Sequence, residues 1–221
     1  MSQPLNLAQA RFNMIEQQIR PWDVLDADIL ALLNEIHRED YLPLASKALA
    51  FVDMEVPLPA GQSMLAPRVE ARALQDLKVQ KNEKVLEIGT GSGFMAALLA
   101  HRAQRVISLE IKPELAEFAR GNLQKAGVSN VEVRVADGAR DVQADGPFDV
   151  IVLSGSVAEV PAALLDQLKV GGRLFAIVGY EPVMRATFIT RNSDKTFSTV
   201  QPWDTVAARL HNFPEPSRFK L

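Results

Sequence analysis

The chain has 221 residues, 48% hydrophobic and 23% charged, with 12 glycines, 13 prolines and a formal net charge of −3 from 24 basic and 27 acidic residues. That balance excludes collagen-like, low-complexity and mainly disordered chains, which lack the apolar surface to offset ordering entropy; with no cysteine, disulfide scaffolds, thiolate zinc sites and cysteine nucleophiles are excluded together. No block of five like charges appears and the three histidines (His37, His101, His211) lie far apart in sequence, so no nucleic-acid, anionic-membrane or metal partner is expected.

Residues 1–10 lack the basic-then-apolar pattern of a secretory signal. No apolar run approaches the ~20 residues needed to cross a bilayer. The expectation is a cytoplasmic protein. The first third reads as helical. Residues 11–19 place Phe12, Ile15 and Ile19 on one stripe, and residues 28–36 place Ile29, Leu32, Leu33 and Ile36 on another. Pro21 is expected to end the first helix, and Asp26 or Asp28 to cap the second. Trp22 is expected to pack the helical cap while Arg20 stays solvated, and His37 reads as structural. Residues 42–67 carry Pro43, Pro57, Pro59, Gly61 and Pro67 among apolar side chains, a long irregular connection of the kind that is usually functional.

A helix at 69–77 is followed by a change of pattern. Strand-like runs at 84–88, 105–109, 131–135, 149–153 and 173–178 alternate with helices at 93–102, 113–126 and 160–168. Short apolar strands alternating with helices imply a parallel sheet covered on both faces. Runs at 186–191 and 197–202, joined by Asn192-Ser193-Asp194, predict an antiparallel pair that closes the sheet. Trp203 and Tyr180 read as core or partner contacts.

The strongest local signal is Val85-Leu86-Glu87-Ile88-Gly89-Thr90-Gly91-Ser92-Gly93, a buried strand running into a glycine turn that opens a helix. Such a turn lets a ligand approach the backbone closely. A dinucleotide fingerprint puts its third glycine three positions after the second, where this chain has Phe94. An acidic residue two before the first glycine would repel a pyrophosphate and favour a cation. S-adenosylmethionine carries a sulfonium and an ammonium and no phosphate, so both spacing and charge sign favour it. Glu110 ends the second strand, where a carboxylate accepts from a ribose diol. Asp137-Gly138 follows the third strand, where a side-chain acceptor can take an adenine amino group.

These residues resemble those of a known family. Glu87-Ile-Gly-Thr-Gly-Ser-Gly93 resembles motif I of class I methyltransferases, specifically the protein-L-isoaspartate O-methyltransferases. Residues 11–18 (RFNMIEQQ), 37–43 (HREDYLP), 57–67 (PLPAGQSMLAP), 137–138, 147–151 (PFDVI) and 163–173 (ALLDQLKVGGR) match the family in order. The resemblance implies a Rossmann-like α/β fold, a mainly parallel seven-stranded sheet flanked by helices. Residues 1–67 would form an N-terminal helical cap and substrate lid, and residues 68–221 the donor-binding core, in one compact unit. It further implies that Glu87, Gly89, Thr90, Gly91, Ser92, Gly93, Glu110, Asp137, Gly138 and Ser154 bind S-adenosylmethionine, leaving S-adenosylhomocysteine as product. Gln62, Ser63, Met64 and Leu65 would form the lid over the acceptor, an isoaspartyl residue of a damaged protein.

The chain departs from the family on the acceptor side. Leu65 stands where the family has its active-site serine, Phe94-Met95 replace Tyr-Gln, and Ser154-Gly155-Ser156 replace Thr-Ala-Ala. Ser63 is the candidate to supply the missing hydroxyl. Leu65, Phe94 and Met95 also fit a drier pocket for a small-molecule acceptor, or a donor-binding protein without turnover. A nicotinamide dehydrogenase is the competitor at the level of the fold.

Overall fold

The computed structural model describes residues 6–141 and 145–216. The N-terminal region is built from short helical pieces. Helix α1 (Leu7–Met14) starts at Asn6, whose side chain accepts from the Gln9 amide. It passes into one π-helical turn, Ile15–Ile19, and a 3-10 turn, Arg20–Trp22, which stops at Asp23 in the left-handed region (φ 61°). The single helix expected over 11–19 is therefore two helical forms, and Pro21 sits inside the last turn, where no amide proton is needed. Ile15 and Ile19 are buried as expected, but Phe12 is 52% exposed. The inward face at that level is taken by Arg11, whose guanidinium pairs with buried Glu39, and the next residue along a helix points about 100° away.

Helix α2 (Ala27–Glu35) is capped by Asp26, whose carboxylate accepts from the amides of Asp28 and Ile29. All four residues of its predicted stripe are buried. The irregular connection resolves into 3-10 turns at Arg38–Tyr41, Leu44–Phe51 and Pro59–Gly61, with a two-residue antiparallel pair, β1 (Val56–Pro57) and β2 (Ser63–Met64). Helix α3 (Pro67–Leu77) follows, opened by proline in its first turn.

The remaining elements are β3 (Lys84–Ile88), α4 (Phe94–Arg102), β4 (Arg105–Glu110), α5 (Pro113–Lys125), β5 (Val131–Val135), β6 (Phe148–Val157), α6 (Ala162–Leu165), β7 (Leu168–Tyr180), β8 (Val183–Arg191) and β9 (Phe197–Thr205). They form a seven-stranded sheet in the order β5-β4-β3-β6-β7-β8-β9, parallel from β5 to β7 and antiparallel through β8 and β9. The Rossmann-like fold and the closing antiparallel pair match the expectation. From β3 the chain builds outward through β4 and β5, then returns to pair β6 on the other side of β3. That reversal opens a crevice at the carboxyl ends of the strands.

Alternate residues of each strand feed two cores. Val85, Val106, Val150, Val152 and Phe175 face the layer of α3, α4 and α5 together with the N-terminal turns. Leu86, Ile88, Ile107, Ile151 and Leu174 face the other side, covered by Leu164, Leu168 and Phe213. The helix expected at 160–168 shrinks to the four residues of α6. Val160 precedes Pro161 and is pushed out of the helical region, while Leu168 pairs with Phe148 in the sheet. Among the described residues no helix is long and apolar enough to cross a membrane.

Candidate active site

The turn after β3 is held from below by β4. The Leu109 carbonyl accepts from the Gly89 amide at 2.9 Å and the Thr90 amide at 3.3 Å. Gly89, Gly91 and Gly93 all lie at positive φ. Gly89 (φ 94°) has a second constraint, because an added Cβ would lie 3.0 Å from Leu210 Cδ2 and 3.3 Å from the Ser154 carbonyl. Gly138 stands directly against Ile88, leaving no room for any side chain.

Glu110, 5% exposed at the end of β4, accepts from the Gly91 amide (2.9 Å) and the Lys112 amide (3.0 Å). The carboxylate assigned to a ribose thus also fixes the glycine turn. Asp137 follows β5. Its Oδ1 accepts from the Ala139 amide and its Oδ2 from the Asn212 side chain, each at 3.0 Å. Gly89, Gly91, Glu110, Asp137, Gly138 and Ser154 line one crevice, and Gln62 and Ser63 of the lid edge it.

Glu87 lies elsewhere. It is fully buried and lines a smaller adjoining cavity together with Leu65, Glu70, Thr90, Ser92 and Met95. The hydroxyls of Ser108 (2.6 Å) and Ser154 (2.8 Å) donate to its carboxyl, and Thr90 Oγ1 is 2.6 Å from Ser108 Oγ. Burial pushes the Glu87 carboxyl up to about 8 against the pull of those hydroxyls, with the charges of Glu70 and Glu110 adding to the rise. The repulsion argument from the sequence needs an ionised carboxylate. Burial instead favours the neutral form of Glu87, and the residue reaches the crevice only through Ser154, which lines both cavities.

The four residues expected to form a lid divide between the two cavities. Ser63 touches both, and its hydroxyl donates to Glu55 at 3.0 Å. Met64 and Leu65 line only the smaller one, and Leu65 is 8% exposed. Phe94 is buried against Tyr41, and Met95 reaches the smaller cavity.

One wall was not legible in the sequence. Residues 208–213 run back over the crevice after β9. Ser156 and Arg209 form a parallel bridge, with the Ser156 amide donating to the Ala208 carbonyl (2.8 Å) and the Leu210 amide to the Ser156 carbonyl (2.9 Å). Leu210 then covers Gly89 and Gly155. The only local signal was an apolar pair, Leu210 and Phe213, in a polar stretch. Ser154 and Gly155 sit where the β6–β7 register breaks between Val152 and Ser156, which gives that segment access.

Other readings also change. Trp22 is 40% exposed, with the Arg68 guanidinium 4.3 Å from its ring centroid, rather than packed into the cap. Arg20 stays at the surface as expected, paired there with Glu16. His37 is half exposed beside Asp40 on a separate cavity of about 660 Å³ between the 3-10 turns and α5, whose lining residue Asn122 donates to the Ser92 carbonyl of the glycine turn at 3.0 Å. Trp203 is buried beside Phe175, as expected.

A family model of protein-L-isoaspartate(D-aspartate) O-methyltransferases (PCMT) matches residues 9–206. The chain belongs to this family. Among its relatives are the protein-L-isoaspartate O-methyltransferase of Methanoculleus marisnigri, 41% identical over 76% of this chain and 77% of that one, and protein-L-isoaspartate O-methyltransferase 1 of Syntrophobacter fumaroxidans, 40% identical over 79% and 82%. A Plasmodium falciparum PCMT solved in complex with S-adenosyl-L-homocysteine superposes with a TM-score of 0.79 at 19% identity, over 94% of this chain and 99% of that one. This likeness shows the shared fold.

Proposed function

We propose that this chain is an S-adenosylmethionine-dependent O-methyltransferase that methylates the free carboxylate of isoaspartyl residues in damaged proteins. The observation that carries the reading is the convergence of the glycine turn, Glu110 and Asp137-Gly138 on one crevice beside the lid, in a chain of the PCMT family. The residues fit a nucleoside donor. Gly89 and Gly138 line the crevice with bare backbone, and Glu110 and Asp137 offer acceptors at the ends of adjacent strands. When bound, S-adenosylmethionine supplies an electrophilic methyl group on a cationic sulfur.

The chain's own part is placement and exclusion of water. An acceptor carboxylate that titrates near ~3.9 in water is ionised at neutral pH, so no general base is required. Glu110 and Asp137 hold the donor end, and the lid at 62–65 covers the acceptor end. Aligning the acceptor oxygen with the carbon–sulfur axis removes most of the entropic barrier, and a closed lid removes water that would otherwise solvate the reacting charges. With Leu65 at the serine position, the hydrogen bond to the acceptor carboxylate falls to Ser63 or to lid amides. Ser63 borders both cavities, and its one hydroxyl proton, donated to Glu55 in this structure, has to turn from that carboxylate to serve the acceptor.

The test is transfer of labelled methyl from S-adenosylmethionine to an isoaspartyl peptide, beside its normal aspartyl twin, with donor affinity measured by calorimetry on the same preparation. Label in the isoaspartyl peptide alone is the expected result. Donor binding with label in neither peptide would overturn the acceptor assignment and leave the donor assignment standing.

A further inference from the structure

We propose that Arg38 is a positioning residue for methyl transfer, holding the lid against the glycine turn through the Leu65 carbonyl and the Glu70 carboxylate. This rests on the lid function given above. Arg38 lies on the Arg38–Tyr41 turn and is 1% exposed. One guanidinium nitrogen donates to the Leu65 carbonyl at 2.5 Å and another pairs with Glu70, in the first turn of α3. Its guanidinium carbon lies 5.3 Å from the ring centroid of Phe94, the first residue of α4 after the glycine turn. A single side chain therefore touches the lid, the helix that follows the lid and the helix that follows the donor loop.

The local backbone shows why the lid needs such a hold. The β1–β2 ladder ends with the pair Val56–Met64, and the chain then leaves the ladder to reach α3. Leu65 falls in that gap. Its side chain faces the small cavity beside Glu87 and Met95, and its carbonyl turns to Arg38. A movement of that carbonyl carries Leu65 and Ser63 with it, and those two residues border the space where the acceptor must meet the methyl group.

Stability alone is a poor reason for such a pair. Burying two opposite charges sacrifices their hydration, and replacing a buried pair by apolar side chains of similar volume is often neutral or stabilising. What arginine adds is a rigid planar fork that meets a carboxylate and a carbonyl at fixed angles, which a lysine ammonium cannot do. The Arg38 Nε is buried without a partner among the described residues, as if the side chain were placed for its two terminal nitrogens.

The deciding variant is the double substitution Arg38→Met with Glu70→Leu, which removes both charges and keeps the volume. Arg38→Met alone strands Glu70 and is expected to lower the melting temperature, and the double variant to recover it. Two readouts on the double variant test the proposal. Amide hydrogen exchange over residues 62–66 is expected to quicken at least tenfold while exchange over 84–88 is unchanged. Methyl transfer to the isoaspartyl peptide is expected to fall at least tenfold in kcat/KM with donor affinity within about threefold of wild type. Unchanged lid exchange in the folded double variant would overturn the proposal, and so would quickened lid exchange with wild-type kcat/KM on a peptide that the wild-type chain methylates. If the wild-type chain transfers no methyl to the peptide, the acceptor assignment fails, and lid exchange still decides the role of Arg38. Should the double variant not fold, Arg38→Lys keeps a cation beside Glu70 without the fork, and the same exchange measurement on it decides in the same way.

Discussion

Leu65 and Glu87 show how single residues at this site pull in different directions. Leu65 presents an apolar side chain where an anionic acceptor gains most from a hydroxyl, and a hydrogen bond to a charged group is worth about 1.5–3 kcal/mol. Leu65→Ser is therefore expected to raise the rate of transfer to an isoaspartyl peptide by roughly tenfold or more; a folded, donor-binding variant with no gain would remove Leu65 as the handicap. Glu87 makes a prediction about pH. Burial raises its carboxyl to about 8 in the folded chain, with hydroxyl bonds from Ser108 and Ser154 opposing, whereas an exposed glutamate titrates near 4.5. Between those values the folded state holds a proton that the unfolded state releases, so stability falls as pH rises through this window. Glu70, raised by burial to about 7 against the pull of Arg38, acts with the same sign. The melting temperature of the wild-type chain should decline from pH 5 to pH 8, and Glu87→Gln should flatten the decline. Parallel slopes in the two proteins would show that Glu87 is ionised throughout. The sequence placed Glu87 correctly at the end of its strand. It could not show that the carboxyl is desolvated, because desolvation comes from β4 and β6 on either side.

At the scale of elements, the joins between layers carry the energetics. Trp203 on β9 is buried beside Phe175 of β7, donates its indole N–H to Asp76 of α3 at 3.0 Å, and lies under the Arg72 guanidinium at 5.2 Å. It ties the antiparallel end of the sheet to the helix that follows the lid. Trp203→Ala is expected to destabilise the chain by about 3–5 kcal/mol. Trp203→Phe, which keeps most of the ring and loses the hydrogen bond, should cost about 1–2 kcal/mol. Urea unfolding of the two variants checks the ratio, and equal losses would mean that the bond to Asp76 carries the whole effect. Elements with regular periodicity were legible in the sequence. Strands 84–88 and 131–135 were placed to the residue, since short apolar runs between turn residues leave little choice. Helix 160–168 was not, because Pro161 keeps Val160 out of the helix and Leu168 already pairs with Phe148 in the sheet.

For the whole molecule, the sheet reversal between β3 and β6 brings the glycine turn, Ser154 and the 208–213 segment to one mouth. A ligand bound there touches β3, β4, β6 and the segment after β9 together, so its binding energy adds to the stability of the fold as a whole. Saturating S-adenosylhomocysteine at a hundred times its Kd is expected to stabilise the chain by about 2.7 kcal/mol. For a chain of this length that raises the melting temperature by roughly 5–10 °C. A thermal scan with and without the nucleoside measures it, and no shift would remove the donor assignment.

The sequence by itself determined the alternation of strands and helices, the glycine turn with its two acidic partners, and the family the chain resembles. These follow from periodicity and from residue spacing along neighbouring stretches of chain. Tertiary structure alone decided that Glu87 is buried behind Ser154, that residues 208–213 wall the crevice, and that Arg38 reaches the lid. Each joins residues far apart along the chain: Glu87 with Ser154, Leu210 with Gly89, Arg38 with Leu65. Burial and long-range hydrogen bonding depend on which distant segments the sheet order makes neighbours, and no local pattern of side chains carries that information.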